Sequence, residues 1–306
     1  VGNMFFLIMG GDNDGDFHSY NFSRCYNIQR MKPFFSIIIP TLNEEDYLPK
    51  LLTDLTKQTQ KGFEVIVADG NSKDNTKKEV KKFKNTLNIK FYQTKLTNVA
   101  TQRNFGVSKS MGQYIIFLDA DIGLKPSFIN KLTSFIKKQK GLVIIPYLAP
   151  EKGDEEYKPL FDIGNLLVEF SQNMTKKFSL GGSMIFEKNF FNIIGGFDHE
   201  LYTAEDHELI QKAYSWGVSP KIMKENGITF SLRRWKKEGN LKVIYKYFLT
   251  TAYRLFGGEI KNKIIEYKMG GAEYKEIKKL ESKKTFISNS KKIIKQIRKA
   301  LKALVE

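Results

Sequence analysis

The chain has 306 residues, 41% of them hydrophobic, with 24 Phe and 14 Tyr, enough to bury one large core or two small ones. No apolar run reaches the ~18 residues of a membrane-spanning helix, and the single cysteine, Cys25, excludes an internal disulfide and points to a reducing, cytoplasmic compartment. The net charge of +17 is uneven: from Arg233 to Glu306 there are 21 Lys and Arg against seven Glu, a net +14, which leaves +3 for the first 232 residues.

The first 30 residues read differently from the rest. MFFLIMGG is apolar but too short and wrongly flanked for a signal peptide, and GDNDGDFHSYNFSR is loop-like. Met31, followed by KPFFSIIIP, reads as a natural start. Residues 1–30 are therefore expected to be a disordered extension without a function.

FFSIIIP (34–40) is a short apolar run ending in proline, a buried strand by length and composition. Asn43 then precedes a helix with Leu48, Leu51, Leu52 and Leu55 at helical spacing. FEVIVADG (63–70) repeats the plan, with a polar turn and a helix from about Asp74. IKFYQT is a third strand, 98–110 a third helix and YIIFLDAD a fourth strand. A helix follows Pro126, and GLVIIP (141–146) is a fifth strand. Residues 157–175 read as a helix, LGGSMIFEK (180–188) as a strand, and a further helix starts near Glu205. Val218 to Leu232 is expected to form a closing strand pair.

Strands alternating with helices predict a mainly parallel sheet covered on both faces. Ligands bind such sheets beyond the carboxyl ends of the strands. Pro40, Asp69, Asp119 and Asp121 all fall there, so the polar signals converge on one rim. The two acids ending YIIFLDAD share one side of the chain and would repel if left alone. A divalent cation, Mg²⁺ or Mn²⁺, held by one or two carboxylates and a substrate's phosphates, removes that repulsion. The plainer reading is a turn or a helix cap. Asp69 is either a turn acid or an acceptor for a base or ribose. Asn43, Glu44 and Glu45 follow the first strand, where helix capping with solvated first-turn charge is the plainer reading and the better one for at least one of the glutamates.

PTLNEEDYLPKLL, VIVADGNSKDNT and ATQRNFGVSKSMGQYIIFLDADIGLKP resemble the nucleotide-binding half of family 2 glycosyltransferases with the GT-A fold. GGSMIFEKNFFNIIGGFDHELYTAEDHEL resembles their acceptor half. The likeness covers roughly residues 34–235, and the order and spacing of four motifs carry it. It implies an α/β, GT-A-like catalytic domain over 31–235, followed by a basic helical tail over 236–306. It also implies an inverting transferase that moves one sugar from a nucleotide-diphosphate sugar to an acceptor hydroxyl, on a glycan or a lipid-linked saccharide.

The resemblance places Thr41, Glu44 or Glu45, and Asp69 around the base and ribose, and Arg103 near the nucleotide. Asp119 would face ribose and metal, and Asp121 would ligate the metal, Mn²⁺ or Mg²⁺. Gly181 and Gly182 would line the sugar pocket, with Glu205 beside it, and Asp206 matches the family's catalytic base. A carboxylate at a helix N-terminus stays ionised, as a general base must; ordinary N-terminal helix charge is the alternative. Family members often carry a late histidine that helps bind metal, but this chain has only His18, His199 and His207. His207 is assigned a surface or structural role, and water is expected in place of a third protein ligand.

SLRRW (231–235) resembles the Q-x-x-R-W signature of processive synthases, with Ser231 standing where Gln would be. Single-sugar transfer is the better reading. Arg233 and Arg234 are candidates to close over the diphosphate, and Trp235 to stack on the acceptor. In the tail, Val243, Ile244, Tyr247, Phe248 and Leu255 share one helical face, as do Ile293, Ile294, Ile297, Leu301 and Leu304, with lysines opposite. Over 241–306 these faces suit peripheral contact with an anionic membrane, or packing on the core. A basic nucleic-acid-binding protein is the rival class. Charge confined to the tail and the lack of a nucleic-acid motif argue against it, so no nucleic acid is expected as a partner. A non-catalytic nucleotide-sugar-binding module is the rival within the fold. A nucleotidyltransferase would need a basic, glycine-rich loop after the first strand, where PTLNEEDYLPK offers acids.

Overall fold

The structure, a computed structural model, describes residues 33–94, 98–174, 177, 179, 182–201 and 204–232. The expected extension (1–30) and tail (236–306), with Gly181, Arg233, Arg234 and Trp235, lie outside the described residues.

The first strand, β1 (Phe35–Thr41), is buried at all seven positions, as is β2 (Phe63–Asp69), which pairs with it in parallel. Between them α1 (Leu48–Thr56) buries Leu48, Leu51, Leu52 and Leu55. Their helical spacing forms one stripe against the sheet, and each buried side chain contributes roughly 1.5–3 kcal/mol. Then come α2 (Thr76–Lys81), β3 (Ile89–Gln93), α3 (Val99–Ser108) and β4 (Tyr114–Phe117). The strand β5 (Gly123–Leu124) is followed by α4 (Phe128–Gln139), β6 (Val143–Pro150), a single 3₁₀ turn (Glu155–Tyr157) and α5 (Lys158–Ser171). The second half closes with β7 (Met184–Glu187), α6 (Lys188–Ile193), α7 (Glu205–Ser215) and β8 (Lys221–Phe230).

Among the described residues these strands form one sheet in the order β3-β2-β1-β4-β7-β6-β8-β5. The β3-β2-β1-β4 run and the β6–β8 pair are parallel, whereas β7 runs antiparallel to both β4 and β6, and β5 antiparallel to β8. The sheet is thus mainly parallel, as expected. Ile37, Ile39, Val65 and Val67 face one core with α1 and α4, while Ile38, Ile66 and Phe117 face a second with α3, α6 and α7.

Four expected elements differ. The fourth strand ends at Phe117, before the acids: Leu118 still donates to Ile38 O, but Ile122 then turns back onto Asp119 O at 3.3 Å. Residues 180–188 are not all strand, because Glu187 caps a helix by accepting from the Phe190 amide at 2.8 Å. The 218–232 segment is one strand and not a pair. Its turn-like Glu225-Asn226-Gly227 stretch is absorbed in the register shift between the Pro146–Met223 and Leu148–Ile228 pairs. Asn43, at φ +54°, does not cap α1; its Oδ1 accepts from the Lys73 amide at 2.7 Å and joins the first two motif loops.

At the opposite end of the sheet, Glu64 is fully buried and accepts from Ser36 Oγ (2.7 Å), the Met111 amide (2.6 Å) and Lys90 Nζ (3.0 Å). Burial would raise its pKa, but these three donors together hold it below the usual carboxylate range. A depressed folded-state pKa stabilises the fold above the unfolded value, and the effect is lost as pH falls through the folded one. Glu64→Ala should cost about 3 kcal/mol at neutral pH by stranding buried donors. The gap from wild type in urea unfolding should narrow towards pH 4; a gap independent of pH would refute the ionised-anchor account.

Candidate active site

The carboxyl ends of β1 and β2 build the first part of the site. Thr41 Oγ1 donates to Asp69 Oδ1 at 2.9 Å, and Ser72 donates to the same carboxylate from Oγ (2.5 Å) and from its amide (2.9 Å). Asp69 is 1% exposed, an internal brace at the end of its strand. Glu44 is buried and its amide donates to Thr76 Oγ1 at 2.9 Å, while Glu45 Oε2 accepts from the amide (2.8 Å) and side chain (2.9 Å) of Asn75. Glu45 therefore clamps the start of α2.

Two consecutive residues of α3 connect this part to the next. Gln102 Nε2 donates to Thr41 O and Ala68 O, both at 2.8 Å, and so ties the ends of β1 and β2 together. Arg103, 2% exposed, donates from Nη2 to Asp119 Oδ1 and from Nη1 to Glu205 Oε1, both at 2.8 Å. Its guanidinium lies 5.3 Å from the centre of the Phe197 ring, and its buried Nε has no partner among the described residues. The sequence reading set Arg103 beside the nucleotide. The structure sets it between two carboxylates contributed by β4's end and α7, with both terminal nitrogens engaged.

Gly182 explains why a glycine stands there. Its φ is +65°, and a Cβ would lie 2.7 Å from Arg103 Nη2 and 3.3 Å from Asp119 Oδ2. Asp119 keeps 34% of its side chain exposed, and Asp121, half-buried, follows in the same turn. Asp206, 8% exposed at the start of α7, accepts from Ser179 Oγ at 2.9 Å and from the His207 amide at 2.9 Å. The His207 side chain is 16% exposed and lies 3.8 Å from the Asp206 carboxylate, which favours the structural of the two expected roles over the surface one.

The electrostatics separate the adjacent acids. Burial would raise the Asp206 carboxyl, but His207, the Ser179 hydroxyl and Arg103 together outweigh it and hold Asp206 below the usual range. Burial pushes Glu205 upward; Arg103 pulls against it and the Asp206 charge adds to the rise, which wins. Arg103, flanked by carboxylates, stays charged despite burial.

Of the expected site residues, the structure therefore joins Thr41 with Asp69, and Arg103 with Asp119, Gly182 and Glu205, the last followed directly by Asp206. Sequence reading missed Gln102, Ser179, Ser72 and Phe197. Gln102 had one usable signal, its place beside Arg103 in ATQRNFG.

The chain is also similar to known proteins in sequence and in fold. TarS of Staphylococcus aureus, named as a poly(ribitol-phosphate) beta-N-acetylglucosaminyltransferase, is 25% identical over 243 residues, covering 76% of this chain and 41% of TarS. A GalNAc(5)-diNAcBac-PP-undecaprenol beta-1,3-glucosyltransferase of Campylobacter jejuni is 28% identical over 186 residues, covering 58% of this chain and 53% of that enzyme. The chain thus spans about half the length, or less, of these relatives. A crystal structure of S. aureus TarS residues 1–349 with UDP-GlcNAc superposes with a TM-score of 0.55 at 26% identity, covering 65% of this chain and 58% of that one. The profile described as glycosyl transferase family 2 matches residues 36–195, more than half of the chain. On these grounds the chain belongs to glycosyl transferase family 2.

Proposed function

We propose that the protein transfers one sugar from a nucleotide-diphosphate sugar to an acceptor hydroxyl, with inversion at the anomeric carbon. The observation that carries this reading is Arg103. One buried guanidinium links Asp119, on the donor side, to Glu205, whose neighbour Asp206 is the general-base candidate. Asp206 takes the acceptor hydroxyl proton, the acceptor oxygen bonds to the anomeric carbon, and the bond from that carbon to the diphosphate oxygen breaks. The diphosphate carries away the electron pair. A single base and no covalent intermediate give inversion.

Thr41, Glu44 and Asp69 shape the nucleotide end, and Gly182 lets the sugar approach backbone. The TarS complex with UDP-GlcNAc supports a uridine donor, and the two named relatives support a glycan, polyol-phosphate or lipid-linked acceptor.

The acids fit a hard divalent cation. Among the described residues no group of three or more His, Cys, Asp or Glu could hold a metal, and Asp119 and Asp121 are the two carboxylates that would hold it. Two carboxylates completed by substrate phosphates and water are what Mg²⁺ or Mn²⁺ takes. When bound, the ion supplies neutralisation of the leaving diphosphate's charge.

Calorimetric titration of UDP and GDP, with and without Mn²⁺, into wild type and Asp121→Ala tests the donor site. UDP should bind with Mn²⁺ and lose at least about tenfold in affinity in the variant, ~1.4 kcal/mol. Metal-independent binding that the substitution leaves unchanged would return the two acids to a turn.

A further inference from the structure

The far edge of the sheet carries a feature that sugar transfer at the rim does not use. Among the described residues β3 is an edge strand, and between it and α2 lies a recess of about 350 Å³ lined by Lys77, Lys81, Lys84, Lys90, Phe91 and Tyr92. Lys77 and Lys81 lie one turn apart on α2, and Lys84, in the turn that follows the helix, lines the same recess, so the three make a short row. Lys90 is neutralised by Glu64 at 3.0 Å, and Lys82, off this row, by Glu79 at 2.7 Å. No carboxylate among the described residues lies within 4.0 Å of Lys77, Lys81 or Lys84. Three exposed, uncompensated cations therefore share one concave surface.

We infer that this recess anchors a linear phosphodiester-linked chain, and that the acceptor belongs to that class. The purpose rests on the transfer reading above; the anion binding does not. Lysines alone suit tetrahedral phosphate as point charges, whereas the recess offers no arginine fork for planar carboxylates. A row of charges matches a repeating anion better than an isolated one. The rings argue against nucleic acid, which needs open aromatic faces for base stacking. Phe91 already has Lys77 Nζ 5.9 Å from its ring centre, and Tyr92 packs edge-on against Phe105 at 6.0 Å. The concavity argues against a flat bilayer.

The row has a direction. Thr76 and Asn75 hold the start of α2 to the first-motif loop at the carboxyl rim through Glu44 and Glu45. From there the lysines descend along the edge of the sheet. Edge strand β3 lies three strand spacings from β4, about 14 Å, so one acceptor chain of several repeats can touch both regions.

The full-length protein should be probed by lysine acetylation footprinting with mass spectrometry, using a synthetic oligo(glycerol phosphate) at low ionic strength. This readout resolves the recess from the basic tail. At about ten times its Kd the oligomer should slow acetylation of Lys77, Lys81 and Lys84 roughly tenfold, while Lys78 and Lys82 change little. Saturating UDP should leave that protection in place. Unprotected recess lysines would overturn the inference, as would equal protection by single-stranded DNA of matched charge or by phosphatidylglycerol vesicles. Protection by the oligomer in a protein that binds no UDP would uphold the recess and sink the transfer reading alone. In Lys77→Gln/Lys81→Gln/Lys84→Gln, UDP affinity should stay unchanged while the affinity for the oligomer, measured by calorimetry at low ionic strength, falls at least about tenfold; unchanged oligomer affinity would overturn the inference.

Discussion

Asp206→Asn should lower sugar transfer by roughly 10²- to 10⁴-fold, the usual range for removing a general base, while UDP binding stays within error of wild type. The substitution is nearly isosteric, and the amide oxygen can still accept from Ser179 or from the His207 amide. What disappears is an atom able to take the acceptor's proton. The pH profile gives an independent check. Because Asp206 sits below the usual carboxylate range, the wild-type rate should hold down to mildly acidic pH and fall only as that group protonates. Steady-state transfer with a UDP-sugar over a range of pH, beside UDP calorimetry on both proteins, separates chemistry from binding. Retained turnover in the variant would move the base to another residue. Joint loss of turnover and UDP affinity would make Asp206 a structural support for the donor site.

Arg103→Met is expected to be the most damaging change to the fold itself. It leaves the Asp119 and Glu205 carboxylates facing each other without their shared cation, and removing one partner of a buried ion pair typically costs about 3–5 kcal/mol. Methionine is shorter than arginine, so it keeps part of the apolar contact with Phe197 but supplies no charge. Arg103→Lys keeps the charge yet cannot reach two carboxylates as a planar fork does, so it should fall between wild type and Met in both stability and turnover. Urea unfolding measures the first and steady-state transfer the second. A loss below about 1 kcal/mol for Arg103→Met, the value of a surface pair, would show that the bridge is not the strut described.

How much of this was legible in the sequence depended on the range of the interaction. β1 and β2 were readable because a parallel strand covered on both faces must be apolar throughout, and α1 because its four leucines make a single stripe. α6 escaped because six residues give too little periodicity to stand out beside a strand, and its start depends on the Glu187 side chain. β8 was divided in two because its Glu-Asn-Gly stretch carries the chemistry of a tight turn, while pairing with β6 and β5 keeps the chain extended on either side. The strand-end acids and Arg103 were each found, but the link between Arg103 and Asp119 was not. Arg103 reaches carboxylates 16 and 102 residues away, and nothing local to any of the three announces the link. Gln102 is hidden for the same reason, since its partners are main-chain carbonyls of two different strands.

The adjacency of Gln102 and Arg103 sets a limit of another kind. Each residue added to an α-helix rotates everything beyond it by about 100° and advances it by about 1.5 Å. α3 is capped at Asn98, whose side chain accepts from Thr101, so its phase is fixed at the start. An insertion or deletion between the cap and Gln102 would swing the amide off the two strand ends and the guanidinium off both carboxylates at once. The fixed quantity in this helix is therefore the count of residues from Asn98 to Arg103, whatever its outward-facing positions carry.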